Sequence, residues 1–131
     1  MKSLRGYIFS RPFLDERAPQ HVQNIVIRDF CKKNSFHYLL SASEYRMKDS
    51  YSILEELITN SSKIDGIVAY SVLMLPKNQN KRTKILKTLI NKKKLFCFAV
   101  EEITVRNFAD IKKINDLWKI KETLKKTYLS Q

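Results

Sequence analysis

The segment Asp65-Gly66-Ile67-Val68-Ala69-Tyr70-Ser71 constrains the fold of this 131-residue chain more than any other. Its centre is apolar at every position, so both faces of a strand built from it must be covered. That is the situation of a central strand in a parallel sheet with helices on either side. Three further runs read the same way: Arg5 to Ser10 as strand one, Phe36 to Leu40 as strand two and Leu95 to Val100 as strand four. Between them stand apolar stripes at helical spacing: Val22, Ile25, Val26 and Phe30, then Ile53, Leu54, Leu57 and Ile58, then Ile85, Leu86, Leu89 and Ile90. A last pattern over about 108–128 turns Phe108, Ile111, Ile114, Leu117, Trp118 and Leu124 inward. Pro19 opens the first helix, where a missing N–H costs nothing. Strands alternating with helices through short links predict a single α/β domain over residues 1–131. Its sheet is small, doubly wound and mainly parallel, with four strands in the order 2-1-3-4 and helices on both faces.

Composition narrows the partners more than the fold. The formal charge of +12 favours anionic partners, whether nucleic acid, acidic lipid or phosphorylated metabolites. Lysine far outnumbers arginine, however, and lysines on exposed helix faces can serve solubility alone. No apolar stretch approaches the roughly 20 residues that span a bilayer. Met1 to Arg5 leads straight into a strand-like run, without the apolar core of a signal peptide, so a cytoplasmic protein is expected. Cys31 and Cys97 lack metal-ligand spacing and read as small buried hydrophobes of a reducing compartment.

In an open α/β sheet, ligands sit beyond the carboxyl ends of the strands at the point where neighbours wind oppositely. Here that point lies between strands one and three. Ser10 and Arg11 leave strand one, Glu44 and Tyr45 follow strand two, Tyr70 and Ser71 end strand three, and Glu101 follows strand four. Arg17, Gln20, His21 and Asn24 approach from the loop and first turns of helix one. Arg11 and Arg17 are the natural anion ligands, since a guanidinium fork matches phosphate or carboxylate. Gln20, Asn24, Tyr45, Tyr70, Ser71 and Glu101 complete a polar ligand-binding set. His21 and Glu44 are the candidate acid/base groups and Ser10 a candidate nucleophile. Whether Glu44 and Glu101 meet as a carboxylate pair is left open by spacing alone.

The loop after strand one has no glycine, so it has no backbone cradle for a phosphate. No zinc spacing, calcium loop, GxGxxG or GxxxxGK pattern occurs, and no metal or cofactor is expected. Lys77 to Lys94 is strongly basic without one acidic residue. Lacking interleaved aromatics, it reads as a solvated helix face before it reads as a phosphate-contacting one.

Two family resemblances arise on these residues. Gly6-Tyr7, Ser10 at a strand end, glutamines in helix one and Asp65-Gly66-Ile67-Val68 resemble the catalytic domain of serine recombinases, which implies a resolvase-like variant of the flavodoxin-type architecture. In that family a serine after strand one attacks DNA phosphate with the help of arginines. This chain departs from the pattern: Ile8 stands where the family has an arginine, Ser10 comes one residue early, and Leu73-Met74-Leu75-Pro76 replaces an Asp-Arg pair. Strand transfer is therefore not expected.

The second resemblance runs from about Arg5 to Trp118. Gly6-Tyr7-Ile8-Phe9-Ser10-Arg11, Pro19 to Arg28, Glu44-Tyr45 and Asp65 to Ser71 are similar to the sporadic carbohydrate cluster protein family of bacterial lipopolysaccharide and capsule loci. It implies a setting in surface-glycan synthesis without an assigned reaction. Together these readings give an expected function: binding or acting on an anionic sugar metabolite, a sugar phosphate or nucleotide sugar, at the carboxyl edge of the sheet. The alternatives are a non-catalytic partner of a glycan-synthesis enzyme and a degenerate recombinase-like nucleic-acid-binding domain using the Lys77–Lys94 face. The apolar face of the last helix leaves a homodimer open.

Overall fold

A computed structural model describes residues 1–13 and 17–129. Along the chain the elements are β1 (Ser3–Ile8), α1 (Gln20–Lys33), β2 (His37–Ser43), α2 (Ser52–Thr59), β3 (Gly66–Ala69), α3 (Gln79–Asn91), β4 (Leu95–Phe98), β5 (Ile103–Val105) and α4 (Phe108–Leu129). The sheet order is β2-β1-β3-β4-β5, parallel except for the antiparallel β4–β5 pair. The expected order 2-1-3-4 is therefore present, and the expected count of four strands is corrected to five. The extra strand is only three residues long and follows a tight turn in which Glu102 takes φ 55°, too short to show a pattern in sequence.

Period-two alternation divides the strands between two cores. Leu4, Ile8, Val68, Leu95 and Cys97 pack under α1, while Tyr7, Ile67, Ala69, Phe96 and Phe98 pack on the side of α2, α3 and α4. Gly66 lies where β3 passes closest to β4. A Cβ there would collide with the Leu95 carbonyl oxygen, a backbone atom that cannot step aside cheaply.

One expected helix face is rotated and another is shorter than expected. On α1 the buried row is Gln23, Ile27, Phe30 and Cys31, and Ile25 is 61% exposed. A polar Gln23 on the inner face hides this row from a hydrophobicity pattern. On α4, Ile111, Ile114 and Trp118 are buried as expected, but Phe108 and Leu124 are exposed. Among the described residues no helix is long and apolar enough to cross a membrane.

Cys31 and Cys97 are both buried free thiols in the α1-side core, and burial pushes each up to about 11. A raised folded-state value means the folded protein holds protons that the unfolded chain releases. The stabilisation is therefore complete below about pH 9 and is lost as pH rises toward 11. The unfolding free energy measured in urea is expected to fall over that window by about 2 kcal/mol per thiol. A Cys31→Ala/Cys97→Ala variant with the same alkaline decline would refute the assignment.

Candidate anion-binding cleft at the carboxyl edge

Phe9 and Ala18, on either side of the turn from β1 to α1, are pinned by one side chain. Gln23 accepts from the Phe9 N–H (3.0 Å) and donates to the Phe9 and Ala18 carbonyls (2.8 Å each), so a buried amide from α1 extends the strand's pairing beyond its end. Gln20 donates to Ser43 Oγ at 3.1 Å, and Asn24 Oδ1 accepts from Ser41 Oγ and the Tyr38 hydroxyl. The polar residues of the first turns of α1 thus brace β1 and β2.

Arg11 and Glu44 hold the segment that follows β2. The Arg11 guanidinium donates to the carbonyls of Tyr45 (2.7 Å), Met47 (2.9 Å) and Ser50 (2.7 Å). It lies over the rings of Phe9 (4.2 Å) and Tyr51 (5.2 Å). Three of its donors and its stacking face are therefore committed to the protein. Glu44 is buried; it accepts from the Tyr7 hydroxyl at 2.8 Å and from the N–H groups of Tyr45, Ile53 and Leu54. Its carboxylate caps the N-terminus of α2, whose own N-cap residue Tyr51 makes no side-chain cap. Burial, with the adjacent Glu44 charge, pushes the Tyr7 hydroxyl far above the usual tyrosine range and keeps it a donor.

Ser71 and Glu101 meet on the other side of the rim. Ser71 Oγ donates to Glu101 Oε2 at 2.8 Å and accepts from the Leu73 N–H, while Glu101 also accepts from the Val72 N–H and pairs with Lys121 at 3.0 Å. This cluster caps a 3-10 turn at Val72–Met74. Tyr70 packs edge-on against Phe13. Glu44 and Glu101 have separate partners and form no shared site. Ser10 is half-buried without a hydrogen bond among the described residues, and Arg17, His21 and Tyr45 are exposed.

What remains open is a cleft of about 580 Å³ beyond the ends of β1 and β3. Phe9, Phe13, Tyr51 and Trp118 supply apolar wall, and Arg46, Lys48 and Lys77 supply positive charge. Lys81 adjoins it, with its ammonium 6.0 Å from the Tyr51 ring centroid. Asp49 also lines the cleft, at φ 63° in the loop that Arg11 holds. Trp118 is buried, with Arg82 stacked 4.8 Å from its ring. Sequence reasoning missed Arg46 and Lys48, although the signal was present: they directly follow Glu44-Tyr45, in the loop after strand two. No group of three or more His, Cys, Asp or Glu side chains suited to a metal occurs among the described residues.

No family model and no curated protein matches the sequence, so the resemblance to the carbohydrate cluster family finds no support there. Solved structures do match. A resolvase family site-specific recombinase from Streptococcus pneumoniae superposes with a TM-score of 0.62 at 10% identity, covering 97% of this chain and 94% of that one. The N-terminal catalytic domain of TP901-1 integrase gives 0.64 at 13% identity, covering 90% and 98%. The fold is the resolvase-type catalytic fold. At these identities the likeness is one of architecture, and the resolvase-type sheet accounts for the place of the cleft at its carboxyl edge.

Proposed function

We propose that this chain is a nucleic-acid-binding domain that holds a phosphodiester backbone in the carboxyl-edge cleft and performs no strand transfer. One observation carries the reading: Arg46, Lys48 and Lys77 line one cleft on a resolvase-type fold, and Lys81 stands in the depression that adjoins it. Among the described residues no carboxylate pairs with Arg46, Lys48 or Lys81, and Lys77 has only a long contact to Glu122 at 3.7 Å. Spaced cations of this kind suit a backbone of repeated phosphates, which they hold without reading sequence. The rest of the rim supports binding over reaction. Among the described residues Ser10 has no base hydrogen-bonded to it, and Arg11 is spent on carbonyls. A cytoplasmic setting belongs to the same proposal.

The test is fluorescence anisotropy with a labelled oligonucleotide across a salt series. With about four phosphates neutralised, affinity is expected to fall roughly 100-fold between about 50 and 200 mM salt. Binding that ignores salt, or that survives Arg46→Ala/Lys48→Ala undiminished, would sink the reading. The cleft's size favours a second reading, an anionic sugar metabolite such as a sugar phosphate or nucleotide sugar, because 580 Å³ lies in the small-molecule range. Calorimetric titration of sugar phosphates into the protein separates the two. Saturable heat from one of them, together with no retention of oligonucleotide, would establish the second at the expense of the first.

A further inference from the structure

We infer that the ligand is a single strand rather than a duplex, and that it continues out of the cleft along the groove between α2 and α3. The inference rests on the nucleic-acid reading and adds to it the form and path of the ligand. Three concavities adjoin one another. The cleft shares Asp49, Tyr51 and Lys77 with a more open depression at the start of α3, which in turn shares Tyr51 and Lys81 with a groove of about 360 Å³ between α2 and α3. They form one trough with Tyr51 at every junction.

Charge follows the same path. Lys81 and Lys84 stand three residues apart on α3, the spacing that keeps side chains on one helical stripe, and Lys77 precedes the helix beside the same depression as Lys81. Lys84 is exposed and, like Lys81, has no acidic partner among the described residues. Other cations of the same basic run are committed elsewhere. Arg82 is buried on the Pro76 and Lys77 carbonyls, Lys92 donates to the Ile58 carbonyl and Lys94 to the Ile64 carbonyl. Lys87 lines a separate depression against α4 and Lys93 is exposed beyond the end of α3, so this run gives the trough Lys77, Lys81 and Lys84.

The floor distinguishes one strand from two. Ile58, Pro76 and Ile85 line the α2–α3 groove between the lysine side and Glu55 on the opposite wall. An apolar floor beside a cationic rail suits a strand whose bases are unstacked and turned inward while its phosphates stay on the rail. A duplex offers the trough phosphates and groove edges only, and it would leave that apolar floor in water. Glu55 repels phosphate from the α2 wall, so the backbone runs on the α3 side.

The experiment measures anisotropy of labelled oligothymidylates of about 4 and about 12 nucleotides, and of a 12-base-pair duplex, against wild type, Lys84→Ala and Lys77→Ala. The longer strand is expected to bind wild type about tenfold more tightly than the short one and more tightly than the duplex. Lys84→Ala should lose that gain from length and keep the affinity for the short strand, while Lys77→Ala should weaken both. Equal behaviour of Lys84→Ala and wild type at both lengths, or tighter binding of the duplex, overturns the inference and leaves the cleft reading standing. Failure of every oligonucleotide to bind wild type overturns both.

Discussion

Glu44→Ala is expected to lower the unfolding free energy by about 4 kcal/mol, measured by urea denaturation, because four buried or half-buried donors lose their acceptor together. Glu44 is only 2% exposed, and both its carboxylate oxygens are taken by groups of the fold. Oε1 takes the Tyr7 hydroxyl and the Leu54 N–H; Oε2 takes the N–H groups of Tyr45 and Ile53, with Ser50 Oγ at 3.4 Å. An unsatisfied buried donor costs about 1–3 kcal/mol, and the negative charge at the start of α2 is lost as well. Glu44→Gln should cost about 2 kcal/mol, since its amide keeps one acceptor but turns an NH₂ toward groups that already donate. A general acid or base behaves differently, because replacing it relieves strain at a site kept for chemistry. Unchanged or increased stability in Glu44→Ala would return Glu44 to the list of reacting groups.

The same residue shows how much of this molecule its sequence reveals. The parallel sheet was legible, because Ile67, Val68 and Ala69 have to be covered on both faces and helical stripes lie between the strands. The rim of the sheet was legible as well: Ser10, Arg11, Glu44, Ser71 and Glu101 all stand at strand ends where expected. Their jobs were not. A glutamate after a strand looks the same whether it meets a ligand or caps a helix eight residues further on, and only the return of α2 over Tyr7 decides it. Ser71 and Glu101 illustrate the same ambiguity, since each finds its partner in a segment thirty residues away. Gln23 was hidden for the opposite reason. A polar residue on the inner face of α1 breaks the hydrophobic stripe, and its value lies in two bonds to the Phe9 backbone. Glycine scarcity left a further mark that no pattern foretold. Ser35, Asp49, Lys93 and Glu102 take positive φ at turns where glycine would be the easier residue.

Arg11→Ala carries the second large effect, and it separates two roles that sequence reasoning could not tell apart. The guanidinium ties the Tyr45, Met47 and Ser50 carbonyls together and rests on Phe9 and Tyr51. Its removal is expected to cost about 3 kcal/mol of stability, as three charge-assisted bonds and a cation–π contact are lost. Arg11→Lys should recover little of this, because an ammonium cannot reach three carbonyls in the plane of a fork. Oligonucleotide binding should also fall, by roughly tenfold, because the tied loop carries Arg46 and Lys48 to the cleft. The salt slope identifies which role Arg11 plays. If Arg11 positions the loop, its removal takes the phosphate contacts of Arg46 and Lys48 with it. The slope then falls by about two phosphates, as it does in Arg46→Ala/Lys48→Ala, where stability is unaffected. If Arg11 itself grips the ligand, the slope falls by about one, and the Arg46→Ala/Lys48→Ala variant adds its own loss on top.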